Sequence, residues 1–127
     1  MMLGDLIAEL ETLPRDAVIR HGFGEPYSWR GIYADVAFKP ERNVTAGSML
    51  AHAKAALGAT FSGYKGGAYT MGKYTDCHID EPNRADGDLI GPSLIAYWHL
   101  DAEEARLVTD ELGPLSKYQP ASTEAQE

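Results

Sequence analysis

The sequence predicts an α+β fold: a small antiparallel sheet with two packed helices, plus an acidic C-terminal helix and tail. Three observations predict it. Segments with apolar residues at helical spacing stand beside segments where β-branched and aromatic residues alternate, and glycine, proline and other turn residues separate them. The chain's 127 residues suffice for one core and are too few for two. A hydrophobic share of 44% and a charged share of 24% belong to a chain that folds.

Leu3, Leu6, Ile7 and Leu10 recur at helical spacing, with Asp5, Glu9 and Glu11 on other faces and Pro14 as the stop, so the first element is an amphipathic helix. Val18 and Ile19 predict a short strand. Gly22, Gly24 and Pro26 then predict a loop running through Phe23, Tyr27 and Trp29. Residues 31–38 put Ile32, Ala34, Val36 and Phe38 on one face and predict a half-buried strand, ended by Lys39-Pro40. Thr45 is the predicted N-cap of a second helix through Met49, Leu50, Ala53 and Leu57, stopped at Gly58. Its alanines permit close approach to a sheet or a partner.

Between residues 59 and 73, Gly63, Gly66, Gly67 and Gly72 are interleaved with Phe61, Tyr64, Tyr69 and Met71, which reads as a shaped loop between short strands. Residues 74–79 and 93–100 predict two more strands, separated by a turn-rich stretch at 81–88. Residues 101–112 predict a capped helix with Leu107, Val108 and Leu112 on one side, ending at Gly113-Pro114. The predicted organisation is a ligand-binding domain over 1–100, a C-terminal helix over 101–115 and a polar, mobile tail over 116–127.

A net charge of −8 argues against duplex nucleic acid as a partner, because that mode needs clustered Lys and Arg to displace counterions. The charge is uneven. Residues 101–127 carry −5, whereas the segment Arg15–Lys73 carries +4, which suits a small anion. No apolar run approaches the roughly 20 residues of a membrane span, and Met1–Asp5 lacks the basic and apolar regions of a secretory leader, so the expected location is cytoplasmic. A single cysteine, Cys77, excludes an internal disulfide and a thiolate zinc set, and is expected to be a small buried side chain.

Two stretches concentrate flat rings, a cation and glycines: Tyr27-Ser-Trp-Arg-Gly-Ile-Tyr33, and residues 61–71 with Phe61, Tyr64, Lys65 and Tyr69. A nucleotide needs rings to stack on its base, Arg or Lys to meet phosphate, and glycines that let backbone N–H groups approach. The competing reading is structural, with the rings completing the core and the glycines making hairpin turns. No GxGxxG or GxxxxGK[ST] is present, nor GxSxG, HExxH or paired His-x-Thr/Ser. Asp76, His78 and Asp80 alternate along one strand face, with His52 or His99 available to complete a set; such a pattern more often forms a solvent face than a metal site. No cofactor, metal or catalytic residue is therefore expected.

At Ser28–Tyr33 and Thr60–Met71 the chain resembles small accessory proteins of tailed bacteriophages, and within them the Thoeris anti-defence sponges that sequester cyclic ADP-ribose signals. The resemblance spans residues 3–100. It implies a non-enzymatic homo-oligomer that hides an intact cyclic ADP-ribose isomer or other cyclic nucleotide, in the host cytoplasm. Residue chemistry selects Trp29, Arg30, Phe61, Tyr64, Lys65 and Arg84 as the ligand contacts. The alternatives are a protein-binding phage inhibitor or accessory protein and a cyclic-nucleotide hydrolase.

Overall fold

The computed structural model describes residues 1–63, 65–80 and 88–112. Helix α1 (Leu3–Glu11) forms where its leucine spacing predicts, and Leu3, Leu6 and Leu10 are fully buried. Each such side chain contributes at most about 1.5–3 kcal/mol through removal from water. Thr12 ends the helix by donating its hydroxyl to the Glu9 carbonyl at 2.6 Å.

Strands β1 (Val18–Ser28) and β2 (Val36–Thr45) form a long antiparallel hairpin. This corrects two expectations. The loop predicted from Gly22, Gly24 and Pro26 is strand, because a register shift between Phe23 and Pro26 accommodates the proline. Gly22 is there for space: a Cβ would stand 2.6 Å from Val44 Cγ2 and 2.8 Å from Met49 Sδ. Conversely, residues 29–35, partly assigned to a strand, are the hairpin connection, closed by Trp29 N–H to Asp35 O and Asp35 N–H to Ile32 O, each 2.9 Å. Ile32 is consequently exposed. Strand β2 continues through Pro40, which lies beyond Phe38↔Ile79, the last pair that β2 makes with the strand on its other side.

Helix α2 (Ala46–Ala56) begins at the predicted cap, where Thr45 Oγ1 accepts the Ser48 N–H at 3.1 Å. Ala46, Ala53 and Ala56 are fully buried and allow α2 to pack on both α1 and β1. Gly58, at φ +82°, turns the chain after the helix. A two-stranded hairpin follows, β3 (Thr60–Ser62) with β4 (Ala68–Thr70). Strands β5 (Cys77–Ile79) and β6 (Asp88–Leu89) complete a sheet of order β1-β2-β5-β6. The sheet is mostly antiparallel, but β5 runs parallel to β2, so α2 and the β3–β4 hairpin form a crossover between them. Cys77 is fully buried, as expected.

The largest correction concerns residues 93–100, which are helix: α3 runs unbroken over Pro92–Leu112. Leu94, Ala96, Trp98 and Leu100 mimic strand alternation, yet Ile95, Trp98 and Ala102 are the buried set while Leu100 is 63% exposed, the period of a helix. Pro92 supplies a first-turn residue that needs no N–H donor. Tertiary contacts decide the competition. Trp98 Nε1 donates to the His21 carbonyl at 3.0 Å, and its ring meets Phe23 at 5.7 Å. Asp101, only 4% exposed, accepts Arg20 Nε at 2.8 Å, Nη2 at 2.6 Å and the Arg20 backbone N–H at 3.0 Å. The predicted helix over 101–112 is thus the second half of α3, and its start docks on its own domain. Residues 113–127, including the predicted tail, lie outside the described residues. Among the described residues no helix is long and apolar enough to cross a membrane.

Candidate ligand-binding groove

The register that pairs Tyr27 with Ala37 and Ala37 with His78 sets three strands side by side with a small residue in the middle. Side chains from the flanking strands meet above that alanine. The Tyr27 hydroxyl donates to Asp80, and the Trp29 indole stacks on His78 with ring centroids 3.8 Å apart. His78 Nε2 lies 3.0 Å from Asp35 Oδ2, and Nδ1 is buried with no hydrogen-bond partner among the described residues. Burial first, and then the Asp80 hydrogen bond and charge, push the Tyr27 phenol well above its ordinary pKa, so it stays protonated and keeps donating. Arg30 is near enough for its charge to oppose that rise.

The locked Tyr27 ring is one wall of a groove of about 610 Å³. Glu25 and Pro26 precede it on β1, Lys39 comes from β2, His52 and Ala55 from α2, and Ala59 and Phe61 from the chain leading into and along β3. The volume is that of a small-molecule site, and the walls are mostly apolar with a few polar groups at the edge. Lys39 is held at the rim by Glu25 at 3.6 Å, with both side chains largely exposed. Salt and solvent therefore weaken that pair, leaving Lys39 free to exchange partners. Half-buried His52 makes no side-chain hydrogen bond or ion pair among the described residues.

The two aromatic stretches do meet. Tyr33 and Tyr69 approach with centroids 5.6 Å apart, and Gly63 packs so closely that a Cβ would stand 2.9 Å from Tyr69 and 3.3 Å from Tyr33. Of the residues selected from sequence, Phe61 lines the groove. Trp29 gives one ring face to His78, and a Cβ on Gly31 would stand 2.6 Å from its indole, so it is built into the hairpin tip. Arg30 and Lys65 are exposed and do not line the groove. Tyr64 and Arg84 lie outside the described residues. Tyr27, Lys39 and His52 were not selected. Tyr27 belongs to the first aromatic stretch, Lys39 reads as a strand end, and His52 sits in an alanine-rich helix with no ring or glycine beside it.

Asp76, His78 and Asp80 do not converge on a metal: His78 turns to Asp35 and Asp80 to Tyr27. Among the described residues no group of three His, Cys, Asp or Glu is placed to hold an ion. The fold is that of a small α+β protein, with a groove beside an aromatic hairpin tip. No family model, curated protein or solved structure matches it.

Proposed function

We propose that the protein binds a cyclic nucleotide in the Tyr27–Phe61 groove and holds it chemically unchanged, as a sponge for a cyclic ADP-ribose-type signal. The observation that carries this reading is the groove itself: two half-buried rings, Tyr27 and Phe61, border a cavity of about 610 Å³ with Lys39 and His52 among its lining. A base stacks on the rings and a phosphate replaces Glu25 as the partner of Lys39. Arg30 adds positive charge close to Tyr27. Exposed Leu89 and Leu100 support self-association into a homo-oligomer, and equally support the second reading, a protein-binding accessory protein.

Thermal shift with cyclic ADP-ribose and cyclic dinucleotides tests the proposal. A ligand at a hundredfold excess over its Kd stabilises the folded state by about 2.7 kcal/mol and raises Tm by several degrees. Phe61→Ala and Lys39→Gln are expected to remove most of that shift, and chromatography should return the nucleotide intact. Recovery of a cleaved product would make the protein a hydrolase. No shift at millimolar nucleotide would leave the protein-binding reading.

A further inference from the structure

On the other side of the Phe23–Pro26 irregularity, helix α3 and the β1–β2 hairpin enclose two adjoining hollows of about 440 and 290 Å³ that share His21 and Leu94. Ile79 and Leu94 give the larger one an apolar lining, and Tyr97 and Trp98 the smaller. Their shape is fixed in advance. Trp98 is tied to the His21 carbonyl, and Asp101 is already neutralised by Arg20, so neither polar group asks anything of a ligand. Tyr97 remains 62% exposed, although the core around it is complete.

The charge at the mouth is the second observation. The chain carries 19 acids against 11 bases, and several of its arginines are already engaged. Arg15 caps the carbonyls of Glu11 and Leu13, Arg20 holds Asp101, and Arg106 pairs with Glu103. Arg42, which lines the larger hollow, makes no ion pair or hydrogen bond from its side chain among the described residues. Glu41, its neighbour in the lining, lies over Gly24, where an added Cβ would be 2.8 Å from its Oε1. The Arg42 guanidinium is the cation of this lining, which it shares with the exposed His21 imidazole and the Glu41 carboxylate.

We infer that this cleft is a second binding site, separate from the nucleotide groove, for a small amphipathic organic anion. A flat or branched apolar body lies against Leu94, Tyr97 and Trp98, and a carboxylate or sulfonate meets Arg42. A planar guanidinium suits such a group because it donates two parallel hydrogen bonds to it. The site shares no lining residue with the Tyr27–Phe61 groove, so it stands whether or not a nucleotide binds there.

Anilinonaphthalene sulfonate, an aromatic anion that fluoresces when desolvated, is the probe, with uncharged phenylnaphthylamine as its partner. The native protein should bind one anionic dye per chain. Arg42→Gln should weaken the anionic dye about tenfold or more while changing the neutral dye by less than about twofold. Lys73→Gln, the same charge change elsewhere, should leave both affinities in place, and Tyr97→Ser should lower both. Near-ultraviolet circular dichroism of each variant confirms native packing. The inference is overturned if the native protein binds no dye, if several dyes bind per chain, or if Arg42→Gln and Lys73→Gln act alike.

Discussion

Removing either partner of the Arg20–Asp101 bridge should destabilise the protein, and the two removals should be unequal. The Asp101 carboxylate is 4% exposed while the Arg20 side chain is 55% exposed, with Glu104 also at 3.2 Å from it. Asp101→Ala frees a cation that water and Glu104 solvate again, and loses three hydrogen bonds, one of them to the Arg20 backbone N–H. Discounted for that exposure, the loss is about 2–3 kcal/mol. Arg20→Ala instead strands a buried carboxylate on a single backbone donor and should cost about 3–5 kcal/mol. For a domain of this length 1 kcal/mol moves Tm by about 4 °C, so Asp101→Ala should melt about 8–12 °C lower and Arg20→Ala lower still. Calorimetry at neutral pH, with urea titration as a second measure, reads both variants. Equal losses, or a smaller loss for Arg20→Ala, would refute the argument that burial of the anion sets the energy.

Tyr27→Phe should cost about 1–2 kcal/mol at neutral pH by removing the hydrogen bond to Asp80. Because folding raises the pKa of the phenol, its contribution is whole below about pH 10 and is lost as pH climbs further, so the gap between native protein and variant should close in alkaline urea titrations. Burial pushes the Cys77 thiol up to about 12, so thiol reagents at pH 8 should modify it only at the rate of unfolding; rapid labelling of native protein would contradict its placement. The raised thiol also contributes stability below its ordinary pKa that fades as pH rises towards about 12. Gly22→Ala should lower stability by about 1–3 kcal/mol, since Val44 and Met49 must move to admit a methyl group; an unchanged melting point would show that they yield freely.

The legible parts of this chain are those set by neighbours in sequence. The leucines of α1 and the Thr45 cap of α2 act within a turn or two, and both elements form where they were expected. Long-range contacts overrode the local pattern elsewhere. Residues 93–100 satisfy two periods, and Trp98 and Asp101 select the helical one through partners on β1. Gly22 and Gly24 look like loop residues until an approaching helix and a crossing glutamate explain them as strand. Among the described residues, Phe61 alone of those selected lines the groove, because Tyr27, Lys39 and His52 reach it from three separate elements. Rings and glycines mark a neighbourhood in sequence, while a cavity depends on which elements stop short of filling it.

The same bridge has a kinetic side. Arg20 and Asp101 stand 81 positions apart, whereas β1, β2 and α2 are consecutive and pack on one another. Closing so long a loop is favourable only once there is something to close onto. The hairpin with α2 should therefore form first, with α3 docking last on the outer strand. The order reverses on opening. The amides of Ile95 to Ala102 should exchange with solvent together, ahead of those in β2, as a unit that detaches while the hairpin remains formed.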